Sequence, residues 1–126
     1  MTEIIIPSSD EIIAINRKLG STILNPGSID FLIAKIESKT QKKDYKRQIA
    51  TISAIFWYEL IQSHPFIDGN KRTAAETMKL FLKQNSFKLD TPLSGLVYIS
   101  LKIANNEISY PELIEWIYRR IKYGNV

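Results

Sequence analysis

A long helical repeat that stops at a proline constrains this chain most. Between residues 43 and 63, apolar side chains recur at steps of three and four, and Ala50, Ala54 and Trp57 broaden the stripe. Such a repeat predicts a helix with one wide buried face. Because Pro65 disfavours helical geometry in the residue before it, the helix is expected to end near His64. This is the longest helix that the sequence predicts.

The remaining segments predict further helices. Ser8, Ser9 or Asp10 caps the first, and the stretch from Ser109 to Glu112 is a capping box for the last. The dipeptide Thr91-Pro92 resembles a cap followed by proline at the first helical position. The predicted helices cover about residues 10–19, 28–38, 43–63, 70–85, 92–105 and 109–122. We therefore expect an all-α fold, a compact bundle of about six helices with at most a short strand pair, forming a single domain over residues 1–126.

Composition narrows the chemistry. The 126 residues include no cysteine and one histidine, His64, which excludes disulfides, thiolate metal sites and a cysteine nucleophile. The net charge of +4 is spread along the chain, so a nucleic-acid-binding module is the weakest of the binding functions considered. No apolar run is long enough for a signal peptide or a transmembrane helix. We expect a cytoplasmic protein that does not contact a membrane.

The stretch His64 to Arg72 (HPFIDGNKR) carries the chemistry. Gly69 permits a turn whose N–H groups point inward at the start of the next helix, where the helix dipole favours an anion. Asn70, Lys71 and Arg72 add donors and positive charge, and Asp68 is a hard oxygen ligand suited to Mg²⁺. His64 can accept a proton near neutral pH. This set of groups predicts phosphoryl or nucleotidyl transfer.

These nine residues resemble the signature loop of the Fic/Doc family, H-x-F-x-(D/E)-(G/A)-N-(G/K)-R, and the flanking helices and the length resemble its Doc branch. The resemblance implies that His64 is the general base on a hydroxyl of a target protein. It also implies that Asp68 holds Mg²⁺ on the phosphates of ATP. Asn70, Lys71 and Arg72, with the backbone amides from Gly69 to Lys71, would hold those phosphates, while Phe66 would anchor the loop in the core.

Two positions indicate the subclass. AMP-transferring Fic proteins typically have glycine where this chain has Lys71 and a second arginine where it has Ala75, whereas Doc toxins resemble this chain at both. The resemblance therefore favours a protein kinase that transfers phosphate to a Ser or Thr hydroxyl, with elongation factor Tu as the known type of target. Gly69, the Fic choice, keeps AMP transfer open as an alternative. A non-catalytic phosphate-binding regulatory module is the rival from another class.

Partners follow from the same resemblance. Fic proteins are often silenced by a segment (S/T)-x-x-x-E-(G/N), and no Ser or Thr here has Glu four residues later. We therefore expect a separate antitoxin protein and a toxin–antitoxin role. The loop over residues 22–29 is expected to be the flap that receives the target peptide as an added strand.

Overall fold

The computed structural model describes residues 3–38 and 44–124, in which six helices and two short strands follow the chain. The helices are α1 (Ser9–Lys18), α2 (Pro26–Ser38), α3 (Tyr45–Gln62), α4 (Asn70–Gln84), α5 (Leu93–Ala104) and α6 (Tyr110–Tyr118). The strands β1 (Phe87–Leu89) and β2 (Ile121–Tyr123) pair antiparallel, with Leu89 opposite Ile121. The predicted all-α bundle with one short strand pair is confirmed over these residues. Within them, no helix is both long enough and apolar enough to cross a membrane.

Helix α3 lies at the centre of the core and packs most extensively against α4 and α6. Its Phe56 and Trp57 are fully buried. The Phe56 ring lies 5.7 Å from the ring of Phe81 on α4, and the Trp57 Nε1–H donates to Ser100 Oγ on α5 at 2.9 Å. Because α3 and α4 flank the loop of residues 63–69, their shared buried face holds both ends of that loop in place.

The predicted helix starts depend on local caps, and two are confirmed. Ser8 and Ser109 each accept a hydrogen bond from the backbone N–H three residues later, and each forms a full capping box with the glutamate at that position. For α3 the cap is Asp44, whose side chain accepts from Arg47 N; residue 43, the predicted start, lies outside the described residues. These contacts lie within four residues, which is why the sequence alone could predict two of them.

Three predicted boundaries were wrong. Helix α2 begins at Pro26 and not at residue 28. Proline is tolerated at the first helical position because the N–H that it lacks would have no partner within the helix there. Pro92 is the N-cap of α5, so the helix begins one residue later than predicted. Helix α6 ends at Tyr118 and not at residue 122, because Ile121–Tyr123 pairs with β1. That strand pair joins residues more than 30 positions apart, which no local pattern shows.

Candidate active site

The loop between α3 and α4 begins with an abrupt turn at His64. The backbone of His64 has φ 47°, in the left-handed region that side chains with a Cβ avoid at a cost of about 1–2 kcal/mol. The preceding Ser63 ends α3 by donating its N–H to the Glu59 carbonyl at 2.9 Å. The imidazole is exposed, with Nδ1 3.4 Å from the Gln62 carbonyl oxygen. A strained, exposed histidine at the end of a buried helix is the arrangement expected of a functional group.

Phe66 and Asn70 hold the loop together. Phe66 is 2% exposed and belongs to the core. The Asn70 side chain spans the loop, because its Oδ1 accepts from Phe66 N at 3.0 Å and its Nδ2 donates to Phe66 O at 2.9 Å. The predicted anchoring role of Phe66 thus gains a second component, the Asn70 amide. For a ligand, Asn70 retains its second side-chain N–H and its backbone N–H.

Gly69 turns the chain into α4. It is the N-cap with φ 72° and ψ 20°, and no side chain caps the helix. The Gly69 N–H donates to Asp68 Oδ1 at 2.8 Å. The N–H groups of residues 70–72 therefore stand at the helix start without a side-chain acceptor, where orphan donors and the helix dipole favour an anion.

Two cations stand beside these amides. Lys71 and Arg72 are exposed in the first turn of α4, and neither forms an ion pair with another residue that the structure describes. Positive charge at a helix N-terminus is repelled by the helix dipole, so both side chains destabilise the folded state unless an anion binds between them and the helix. The electrostatics of this turn therefore fit a phosphate ligand.

One open pocket of about 360 Å³ contains all six predicted site residues. It is lined by His64, Asp68, Gly69, Asn70, Lys71 and Arg72 together with Ile61, Ile67 and Ala104. A titratable imidazole, a carboxylate, two cations and the start of a helix thus face one space. The arrangement can bind a polyphosphate and place a proton acceptor beside it.

Asp68 is the residue that could hold a metal ion. It is exposed, and one of its carboxylate oxygens accepts from Gly69 N, which leaves the other oxygen for a ligand. Over residues 3–38 and 44–124, no group of three or more His, Cys, Asp or Glu forms a ready-made metal cage. A single carboxylate is what Mg²⁺ uses when phosphate oxygens and waters supply its other ligands. The donor set therefore fits Mg²⁺ bound together with a nucleotide.

The segment before α2 is joined to the loop by its backbone. Leu24 N donates to Pro65 O at 2.8 Å, Asn25 N donates to the same oxygen at 2.9 Å, and Ile67 N donates to Thr22 O at 3.2 Å. Ile23 and Phe66 form an antiparallel bridge. Of the predicted flap over residues 22–29, residues 22–25 lie beside the site, with Ile23 in the bridge and a bend at Leu24, whereas Pro26 onward belongs to α2. The flap prediction was therefore too long at its C-terminal end.

The sequence reasoning missed a buried polar residue that contacts the loop. Asn16 on α1 is fully buried, and its Nδ2 donates to the Asp68 carbonyl at 2.9 Å and to Thr73 Oγ1 at 3.0 Å. The one signal in the sequence is that Asn16 lies four residues after the buried Ile12, so a polar side chain occupies the apolar face of its helix.

The helical fold and the loop between its two central helices can be compared with those of known proteins. The chain belongs to the Fic/DOC family, whose family model matches residues 5–82, from before α1 to near the end of α4. It is also similar to the protein kinase doc of Escherichia phage P1, with 28% identity over 102 residues, which cover 80% of this chain and 77% of that protein.

Proposed function

We propose that this protein is a Doc-like protein kinase that transfers the γ-phosphate of ATP to a Ser or Thr hydroxyl of a target protein. The observation that carries the proposal is that His64, Asp68, Lys71, Arg72 and the start of α4 line the same pocket. The similarity to a protein named as a kinase supports phosphate as the transferred group.

In the proposed reaction, His64 accepts the proton of the target hydroxyl. The hydroxyl oxygen then forms a bond to the γ-phosphorus while the bond between that phosphorus and the β–γ bridging oxygen breaks, and ADP leaves. Lys71, Arg72 and the N–H groups of residues 70–72 hold the phosphate oxygens and stabilise their charge. Mg²⁺, bound by the free oxygen of Asp68 and by the phosphates, would supply further positive charge.

The choice of phosphate over AMP depends on two positions of α4. Lys71 is exposed at the mouth of the anion site, where its side chain takes space that a glycine would leave to a phosphate group. Ala75 is 8% exposed, and its methyl group offers no cation to a second phosphate. Both positions support the Doc mode over AMP transfer, in which glycine and arginine would stand there.

The target would bind along residues 22–25. Thr22 O and Leu24 N both bond to the loop, so the alternation of an extended strand turns the N–H and C=O of Ile23 to the opposite edge. A target segment can add there as a strand and bring its hydroxyl to His64. Elongation factor Tu is the proposed type of target, and a separate antitoxin is proposed to restrain the protein in the cytoplasm.

The test is transfer of label from ATP. The protein is incubated with Mg²⁺ and γ-labelled or α-labelled ATP, with elongation factor Tu or a host lysate as acceptor. We expect label from γ-labelled ATP alone, no transfer by His64→Ala, and retained ATP binding in that variant. Label from α-labelled ATP would show AMP transfer and contradict the kinase assignment.

A matched arginine pair serves as the binding control. Arg72→Ala is expected to weaken ATP binding at least tenfold, because Arg72 lines the pocket. Arg119→Ala removes another exposed arginine, at the end of α6 and outside the pocket, and should leave binding unchanged. Absence of both ATP binding and transfer in the unaltered protein would contradict both catalytic functions. ATP binding without transfer to any acceptor would instead support the regulatory module.

A further inference from the structure

A buried asparagine outside the signature loop connects α1 to both sides of the Gly69 turn. The Asn16 Nδ2 donates to the Asp68 carbonyl at 2.9 Å, before the turn, and to Thr73 Oγ1 at 3.0 Å, within α4. Asn16 is the buried side chain that makes both contacts, and it lies 52 residues before Asp68 in the chain.

This contact is made at a cost. Asn16 is fully buried, and its Oδ1 has no hydrogen-bond partner among the residues that the structure describes. A buried acceptor without a partner destabilises the folded state, and leucine has nearly the same shape without that penalty. The other buried asparagine, Asn85, differs in this respect. Its Oδ1 accepts from Ile5 N at 2.8 Å, and its Nδ2 donates to Ile5 O and Phe81 O at 2.8 Å each.

Asn16 and the Asp68 carboxylate hold the two sides of the peptide unit between Asp68 and Gly69. Asn16 holds the carbonyl of that unit, and Asp68 Oδ1 holds its N–H at 2.8 Å. The orientation of this peptide unit therefore affects both where the Asp68 carboxylate points and how the backbone enters α4. The contact with Thr73 fixes the first turn of α4 relative to the same amide.

We propose that Asn16 is a positioning residue of the active site, which orients the Asp68–Gly69 peptide so that the carboxylate and the first amides of α4 meet the same phosphate group. The proposal deepens the proposed kinase function and rests on it for its effect on activity. Asn16 itself contacts neither nucleotide nor target, since it acts through the Asp68 carbonyl and Thr73.

The first test compares the two buried asparagines. Asn16→Leu is expected to keep Tm within about 4 °C of the unaltered protein, because it removes two hydrogen bonds but also the unpaired Oδ1. It should accelerate amide hydrogen exchange at Gly69 at least tenfold and weaken ATP binding at least tenfold. Asn85→Leu is the matched control, which should lower Tm and leave Gly69 exchange and ATP affinity unchanged. Unchanged exchange at Gly69 in Asn16→Leu would overturn the proposal.

A second variant keeps the test decisive if Asn16→Leu does not fold. In Asn16→Asp, an ionised carboxylate faces the Asp68 carbonyl and repels it, whereas the protonated form can donate to it. Burial raises the pKa of a carboxyl group, so the donating form is favoured as pH falls. The pKa of the introduced carboxyl is measured by NMR, and ATP affinity, expressed relative to the unaltered protein at each pH, should rise at least threefold as pH falls through that pKa. A relative affinity that stays constant through that titration would overturn the proposal.

The hydrogen-exchange measurement separates this proposal from the proposed function. If the unaltered protein binds no ATP while Asn16→Leu accelerates exchange at Gly69, the kinase function is wrong and the positioning role of Asn16 stands. If the protein transfers phosphate and Asn16→Leu changes neither exchange nor ATP affinity, the kinase function stands and the positioning role is wrong.

Discussion

Replacement of Asn70 by alanine tests whether this side chain is a structural bracket of the loop. Asn70→Ala removes two hydrogen bonds, one from Phe66 N and one to Phe66 O. Phe66, the residue that these bonds hold, is only 2% exposed. Each such bond contributes about 0.5–1.5 kcal/mol, so the free energy of unfolding should fall by about 1–3 kcal/mol. The better helix propensity of alanine returns only about 0.5 kcal/mol. For a chain of this length we expect Tm to fall by about 3–10 °C.

The assay is thermal and urea unfolding followed by circular dichroism, without nucleotide. Asn105→Ala is the control, because Asn105 is an exposed asparagine at the end of α5 with no side-chain hydrogen bond among the described residues. It should change Tm by less than about 2 °C, as is usual for surface substitutions. If Asn70→Ala unfolds at the same temperature as Asn105→Ala, the side chain does not bracket the loop, and the reasoning is refuted.

Three further outcomes are expected. Gly69→Ala should lower the free energy of unfolding by about 1 kcal/mol, because φ 72° is unfavourable for a residue with a Cβ; a rise in urea midpoint would contradict this. Ser100→Ala should cost about 1–3 kcal/mol in urea unfolding, since it leaves the buried Nε1–H of Trp57 unpaired; an unchanged midpoint would show that water replaces the hydroxyl. The hydrogen bond from Arg47 lowers the pKa of Glu115, so this carboxylate stabilises the fold above its unfolded pKa and loses that contribution as pH falls through the folded pKa. Glu115→Gln should therefore lower Tm at pH 7, with the difference shrinking as pH falls through the lowered pKa of Glu115, and a difference that does not shrink on acidification would contradict the pairing.

Local signals account for most of what the sequence could predict. The capping boxes at Ser8 and Ser109 and the proline after His64 act within four residues, so helix starts and the end of α3 were readable. The signature loop is also contiguous, and its six predicted site residues meet in one pocket for that reason.

What could not be predicted depends on partners distant in sequence. The sequence pattern of residues 121–123 predicts the last turn of a helix, but these residues form strand β2 because they pair with β1. Asn70 was expected to bind phosphate, and only the folded loop shows that its amide brackets Phe66. Asn16 lies 52 residues from the carbonyl that it binds, so its role had no local signature.

The three backbone hydrogen bonds between residues 22–25 and residues 65–67 couple the position of one segment to that of the other. They start one residue after His64, so they join residues 22–25 to the turn that carries the imidazole. Under the proposed function, a protein that displaces residues 22–25 would therefore also displace the imidazole of His64, and it would need no contact with the nucleotide to do so.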